Sequence, residues 1–192
     1  MTLFEKPVRA LAPEELARTK RLYESAFPVE ERIPWKELLR LAEEMPLDFA
    51  VWFDGADFVG LTIVWPRSEF DWFWYFAVEE ELRGRGLGQE ILSRLLGKRA
   101  GRTLILDMES PEQECENAEQ RRRRHGFYLR NGFRDTGVGK SFRGIDYAIL
   151  IHGPGTFSMR DYDEIIAELR AVCRTVPDPD PRRRQTAPAG NR

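Results

Sequence analysis

At 192 residues the chain is long enough to bury a substantial core and short enough to form one domain. Hydrophobic residues make up 42% and charged residues 32%, and 30 basic against 32 acidic side chains leave a formal charge of −2, so no global attraction to nucleic acid is implied. The longest apolar runs, near 58–65 and 72–78, are too short to cross a bilayer, MTLFEKPVRA has no signal-peptide core, and Cys115 and Cys173 point to reduced thiols in a cytoplasm.

Phe4 to Leu11 reads as a first strand, weakened by Pro7, which favours a sheet edge. Pro13 suits the first position of a helix whose apolar stripe is Leu16, Leu22, Tyr23, Ala26 and Phe27. The connector Val29-Glu30-Glu31-Arg32-Ile33 leads to a second helix with Trp35, Leu38, Leu39 and Ala42 on one face. An antiparallel meander follows. Phe49 to Phe53 and Phe58 to Trp65 flank Asp54-Gly55, a type I′ hairpin signal, and Phe70 to Val78 is a third run crowded with aromatics. Pleat alternation puts Trp72, Trp74 and Phe76 on one face of that strand, and Phe73, Tyr75 and Ala77 on the other. Such a strand is buried on both faces or lines a pocket.

After a short acidic connector comes Arg83-Gly84-Arg85-Gly86-Leu87-Gly88-Gln89, then a helix with Leu87, Ile91, Leu92, Leu95 and Leu96 on one side. Glycines remove side chains where the backbone must turn and come close to something. The free N–H groups of the following helix point back at such a turn, which suits it to phosphate or pyrophosphate. A Rossmann fingerprint fits poorly, because its third glycine falls on Gln89 and five residues separate Val78 from Gly84; Asp107 only partly matches the ribose carboxylate. A Walker A loop at Gly139-Lys140-Ser141 fits worse, with Arg134 where the first glycine belongs and a strand following.

Thr103 to Met108 is a continuous apolar run, as a central strand would be. Residues 113–131 make a charged helix, with Glu119 four residues before Arg123 and Gly132 at its C′ position. Two strands follow, the second alternating Ile145, Tyr147, Ile149 and Ile151 on one face. Ser158 and Asp161 can cap a last helix with the stripe Met159, Tyr162, Ile166, Leu169 and Cys173. From Val176 on, Pro, Arg and Asp dominate, the composition of a disordered tail.

Arg83 to Gly88 resembles the Q/R-x-x-G-x-G/A signature of the GNAT acyl-CoA N-acyltransferase superfamily, with the motif glycines at Gly86 and Gly88. About 40 residues on, FYLRNGF (Phe127 to Phe133) resembles the second signature of that family, an aromatic-Tyr pair before a helix-ending GF. The resemblance covers roughly residues 5 to 152. It implies an α/β GNAT fold, a mixed, mostly antiparallel central sheet with a splayed parallel strand pair, flanked by helices. The chain then divides into a GNAT domain over 1–156, a C-terminal helix over 157–175 packed on it, and a disordered tail over 176–192.

The same resemblance implies acetyl-CoA as co-substrate and direct attack, in a ternary complex, by a primary amine of a small molecule or a protein. The backbone of Phe76, Ala77 and Val78 would pair with pantetheine. The amides of Arg83, Gly84, Arg85, Gly86, Leu87, Gly88 and Gln89 would cradle the pyrophosphate. Tyr128 matches the tyrosine that protonates the departing thiolate, and Glu109, past the central strand, is preferred to Glu79 as the base. Glu30 and Glu31 border the acceptor site, where they could hold a cationic amine with Trp72 or Trp74; the blander alternative is a pair of solvated loop charges. One or two of Arg121 to Arg124 could reach the 3′-phosphate of CoA, whereas nucleic-acid binding through that run and Arg182 to Arg184 is the weaker alternative. His125 and His152 lack metal-ligand spacing, so no metal is expected. The aromatic excess and the last helix leave room for a homodimer. A CoA-binding module without turnover is the competing class.

Overall fold

A computed structural model describes residues 2–173. Its centre is a seven-stranded sheet in the order β1-β2-β3-β4-β5-β7-β6. The strands are β1 (Leu3–Pro7), β2 (Asp48–Asp54), β3 (Asp57–Pro66), β4 (Asp71–Val78), β5 (Leu104–Glu109), β6 (Arg134–Phe142) and β7 (Ile145–His152). Every neighbouring pair is antiparallel except β4 and β5, which run parallel. This is the mixed sheet that the signature residues imply.

Five helices flank the sheet among the described residues: α1 (Pro13–Ala26), α2 (Trp35–Glu44), α3 (Leu87–Lys98), α4 (Ala118–Arg130) and α5 (Met159–Val172). Side chains from α1, α2 and α5 pack on one face, where Tyr23, Leu38, Tyr75, Ile105 and Tyr162 share a core. Leu92 and Leu95 of α3 and Tyr128 of α4 pack on the other, with Phe73 and Leu106. β5 is covered from both sides, which is why Leu104, Ile105, Leu106 and Met108 are apolar, with the acids Asp107 and Glu109 toward its far end. Pro13 opens α1, and Ser158 caps α5 through a reciprocal pair with Asp161, in which Ser158 N donates to Asp161 Oδ2 at 2.7 Å. Gly132 follows α4, where Phe133 N reaches back to Tyr128 O at 3.2 Å and closes the helix end.

Several details depart from local pattern. Only Leu3–Pro7 of the first run is strand; Val8–Ala10 winds into a 3-10 turn after the proline. The first hairpin turns one residue later than the Asp-Gly signal, on Gly55 and Ala56, because Asp54 still pairs with Asp57. Residues 113–117 stay outside α4. In α5 the covered residues are Tyr162, Ile165 and Leu169, followed by buried Cys173 just past its end, while Met159 is exposed and Ile166 is half-buried on the flank. The expected tail, 176–192, lies outside the described residues.

The departure that matters most is in β4. Ile63 pairs with Tyr75 but Val64 pairs with Phe73, so Trp74 is an extra residue, a β-bulge. A bulge advances the pleat by one, and every side chain after it changes face. Trp72, Tyr75 and Ala77 therefore share the α1/α2/α5 core, whereas Phe73, Phe76 and Val78 face α3 and α4. Strict alternation misassigns Tyr75, Phe76 and Ala77 for this reason. Trp72, Trp74 and Tyr75 become a continuous stack, with ring centroids 5.0 Å and 5.2 Å apart.

Candidate active site

The parallel pair β4–β5 is joined at one end only. Asp71 pairs with Leu104 and Trp72 with Ile105, and no further rung forms. Beyond Trp72, β4 keeps its pairing with β3 as far as Val78, while β5 keeps its pairing with β7 as far as Glu109. Each strand follows its antiparallel partner, which pairs more stably than a parallel one, and the bulge at Trp74 lies where they part. The joined end is clamped. The carboxylate of Asp71, 1% exposed, accepts from Arg99 at 2.8 Å and Arg102 at 2.6 Å, and Asp71 N donates to Thr103 O at 2.8 Å.

The open end is a cleft of about 1280 Å³ that reaches both faces of the sheet. Phe76, Ala77, Val78, Arg83, Gly84, Gly86, Gly88 and Gln89 all line it, as do Glu109 and Tyr128. Leu87 points into the core beneath α3, and Arg85 is exposed outside the lining, so only their main chains remain available to the turn.

The turn itself depends on two glycines with left-handed backbone, Gly84 at φ 77° and Gly86 at φ 82°. A Cβ added at either would meet no protein atom within 4 Å, so the turn faces open space. Gly86 caps α3 without a side-chain acceptor, and the first intrahelical bond runs from Glu90 N to Gly86 O at 3.0 Å. The amides of Leu87, Gly88 and Gln89 thus precede the helical ladder. Gly88 differs from the other two, since a Cβ there would make ordinary contacts with Val78 and Phe76 at 3.6 and 3.7 Å. Asn131 Nδ2 donates to Gln89 Oε1 at 3.0 Å and ties the start of α3 to the end of α4.

Tyr128 is buried in the last turn of α4, its ring edge-on to Phe127 and Phe133 at 5.4 Å each. Burial pushes its phenol up to about 12, with Arg124 opposing. Its hydroxyl makes no hydrogen bond among the described residues, so its proton is free for a partner in the cleft. Glu79 turns the other way and pairs with Arg18 at 3.1 Å.

Three carboxylates approach the cleft at the ends of β5 and in the α1–α2 connector. Glu109 is gripped by Arg121 on Oε1 at 2.7 Å and faces Arg124 on Oε2 at 3.8 Å. The arginine run thereby splits: Arg121 is buried in this ion pair, and Arg123 and Arg124 line the cleft. Asp107 accepts from Trp72 Nε1 at 3.3 Å and from Lys140 Nζ at 2.6 Å. Lys140 lies over the rings of Tyr147 and Tyr162, 4.8 and 4.3 Å from their centroids. Burial works against its charge, but Asp107 and Tyr162 outweigh burial and hold its pKa above the usual lysine value.

Glu31 is the third. Sequence pattern left it as a borderline loop charge; in the fold it is half-buried, while Glu30 is exposed. Its main chain is pinned by Glu31 N to Pro28 O at 3.1 Å and by Tyr75 OH donating to Glu31 O at 2.8 Å. Tyr147 OH donates to its Oε1. Burial raises the Glu31 pKa, the tyrosine hydrogen bond opposes the rise, and Glu109 and Asp107 add to it. A usable signal was the alternation that places Tyr147 among Ile145, Ile149 and Ile151, a hydroxyl on an apolar face that needs an acceptor. No group of His, Cys, Asp or Glu among the described residues could hold a metal ion, and no helix among them is long and apolar enough to cross a membrane.

A seven-stranded mixed sheet opened between parallel strands, with a bulge on one side and a glycine turn feeding a helix, is the GNAT fold. Residues 47–135 match the family model described as the acetyltransferase (GNAT) domain. Over that segment the chain is similar to the family, and the described residues carry its fold. Among solved structures it is similar to a protein assigned to the GNAT family of acetyltransferases from Bacteroides thetaiotaomicron, at 23% identity and a TM-score of 0.67, covering 88% of this chain and 97% of that one. It is also similar to the ribosomal-protein-S18-alanine N-acetyltransferase of Escherichia coli, at 15% identity and a TM-score of 0.60, covering 82% and 97%. Ard1 from Thermoplasma volcanium shares 17% identity with a TM-score of 0.60, covering 79% and 97%. No curated protein sequence matches the chain.

Proposed function

We propose that the chain is an acetyl-CoA-dependent N-acetyltransferase that acts on a primary amine by direct attack in a ternary complex. The observation that carries this is one lining: the β4 edge from Phe73 to Val78 that β5 leaves unpaired and, after a 3-10 turn at Glu80–Leu82, the Gly84–Gly86 turn and the free amides of α3 border the same cleft. Acetyl-CoA would supply the activated acyl group as a thioester. Phe76, Ala77 and Val78 offer an extended main chain that can pair with the pantetheine amides and polarise the acyl carbonyl. The amides from Arg83 to Gln89 offer an anion cradle for the pyrophosphate, and Arg123 or Arg124 lies within the same cleft for a further phosphate. Tyr128 holds a proton on an unengaged hydroxyl and can donate it to a departing thiolate.

Thermal stabilisation across acetyl-CoA, CoA, NAD and ATP tests the assignment. A binder at a hundred times its dissociation constant adds about 2.7 kcal/mol. Acetyl-CoA and CoA are expected to stabilise the protein, and NAD and ATP are not. No association with CoA or its thioesters at millimolar concentration would overturn it. Tyr128→Phe separates an enzyme from a non-catalytic CoA module: the enzyme loses rate while CoA affinity stays unchanged.

A further inference from the structure

The acceptor end of the cleft contains a graded set of acids. Asp107 is engaged by Lys140 and Trp72, and Glu109 by Arg121 and Arg124. A carboxylate held by fixed cations is poorly placed to receive another cation or a proton. Glu31 forms no ion pair with any described residue, and its Oε2 has no hydrogen-bond partner among them. It lines the same cleft as the stacked Trp72–Trp74 pair, with Phe142 and Tyr147 nearby. Glu30 and Asp163 also border the opening but are solvent-exposed, so their charges are screened.

On the acetyl-transfer assignment above, we infer that the acceptor is a primary ammonium carried on an aromatic body, docked between Glu31 and the Trp72–Trp74 stack, and that Glu31 rather than Glu109 takes its proton. An uncompensated, half-buried carboxylate attracts a cation, and the aromatic wall beside it suits an apolar, aromatic body. The ammonium passes one proton to Glu31 Oε2 and becomes a neutral amine. Its lone pair forms the new C–N bond to the acyl carbon, and the C–S bond breaks. Tyr128 protonates the thiolate and recovers the second amine proton, and Glu31 releases the first to solvent. Products are the amide, the thiol and one proton. Tyr147 positions Glu31 by its hydrogen bond. The groups that act most on Glu31 are Tyr147 from β7, Glu109 and Asp107 from β5, and Arg124 from α4; Tyr75 of β4 donates to its carbonyl, and Lys140 of β6 lies over the Tyr147 ring in the same cleft.

Phenethylamine and 2-phenylethanol, applied to the CoA-loaded protein, distinguish a charge-selective subsite from a merely apolar one. The wild type is expected to bind the ammonium about tenfold more tightly than the alcohol, as a charged hydrogen bond implies, and Glu31→Gln is expected to abolish that preference. Gln still accepts the Tyr147 hydrogen bond, so the fold and CoA affinity should persist. With acetyl-CoA and phenethylamine, free-thiol release should lose about 100-fold in kcat/KM in Glu31→Gln, together with the acid limb of its pH profile. Three results overturn the inference while leaving the acetyl-CoA assignment intact: equal binding of the two probes to wild type, no turnover of phenethylamine by protein that binds CoA, or an acid limb that survives Glu31→Gln and disappears in Glu109→Gln. Failure to bind CoA at all would instead remove the assignment on which it rests.

Discussion

The β4–β5 pair is built differently at its two ends. At the joined end two rungs connect the strands, and Asp71 is saturated by Arg99, Arg102 and the backbone of Thr103. From Phe73 on, the same strands share no rung, and the cleft between them is lined by a phenol hydroxyl and a carboxylate oxygen without a hydrogen-bond partner among the described residues. Polar groups at the first end are satisfied within the chain, which fixes the hinge of the V. At the second end Asp107 and Glu109 are also engaged, but the Tyr128 hydroxyl and Glu31 Oε2 have no hydrogen-bond partner among the described residues, which suits a site that binds something. The contrast teaches where internally satisfied polar groups give way to unengaged ones in this sheet, only a few residues apart on one strand.

Removing the clamp should be the largest blow. Asp71→Ala leaves two guanidinium groups without their buried partner, and urea unfolding is expected to show a loss of about 3 kcal/mol. Unchanged stability would mean that the two rungs suffice to hold the hinge.

Tyr128→Phe probes the open end. The rate of thiol release should fall about 100-fold at unchanged CoA affinity, and stability at neutral pH should stay the same because no protein hydrogen bond is lost. Alkaline pH supplies a second readout. The folded pKa of about 12 lies above the ordinary value of 10.0, so the phenol is neutral in both states below that value and ionises first in the unfolded chain above it. Stability is therefore full below pH 10.0 and falls as pH rises toward 12, by about 3 kcal/mol for this group. Unfolding curves across that window should be less steep in pH for Tyr128→Phe than for wild type.

A smaller effect is expected in the turn. Gly86→Ala places a side chain at φ 82° and should cost about 1–2 kcal/mol, with weakened CoA binding. Gly88→Ala meets only ordinary contacts and should leave stability nearly unchanged, so any loss of CoA affinity there reports close approach of the ligand to the backbone. Smallest of all, Arg85→Ala should alter stability by less than about 0.5 kcal/mol, since the side chain is exposed and outside the cleft lining. A large loss of CoA affinity in that variant would show that the turn works through side-chain charge and not through its amides.

Some of this was legible in the chain alone. The apolar run at Thr103–Met108, the cap at Ser158 and Asp161, and the glycine turn before Leu87 are local patterns, because short-range sterics and hydrogen bonds decide them. Pleat direction after Trp74 was not legible. A bulge is set by how β4 meets β3, and nothing in Trp72 to Val78 marks which residue will be the extra one. The acids followed the same rule. Glu109, Asp107 and Glu31 are alike as letters, and they differ only in which cations and hydroxyls the fold brings to them.

By itself the sequence determined the order of the elements, the turn with its positive-φ glycines, and the tyrosine at the end of α4, because each depends on neighbours within a turn or two. Only the tertiary structure decided where the parallel strands part and which carboxylate keeps a free oxygen. Those outcomes depend on competition between partners distant in sequence, such as β3 against β5 for β4, or Tyr147 and Arg121 for Glu31 and Glu109.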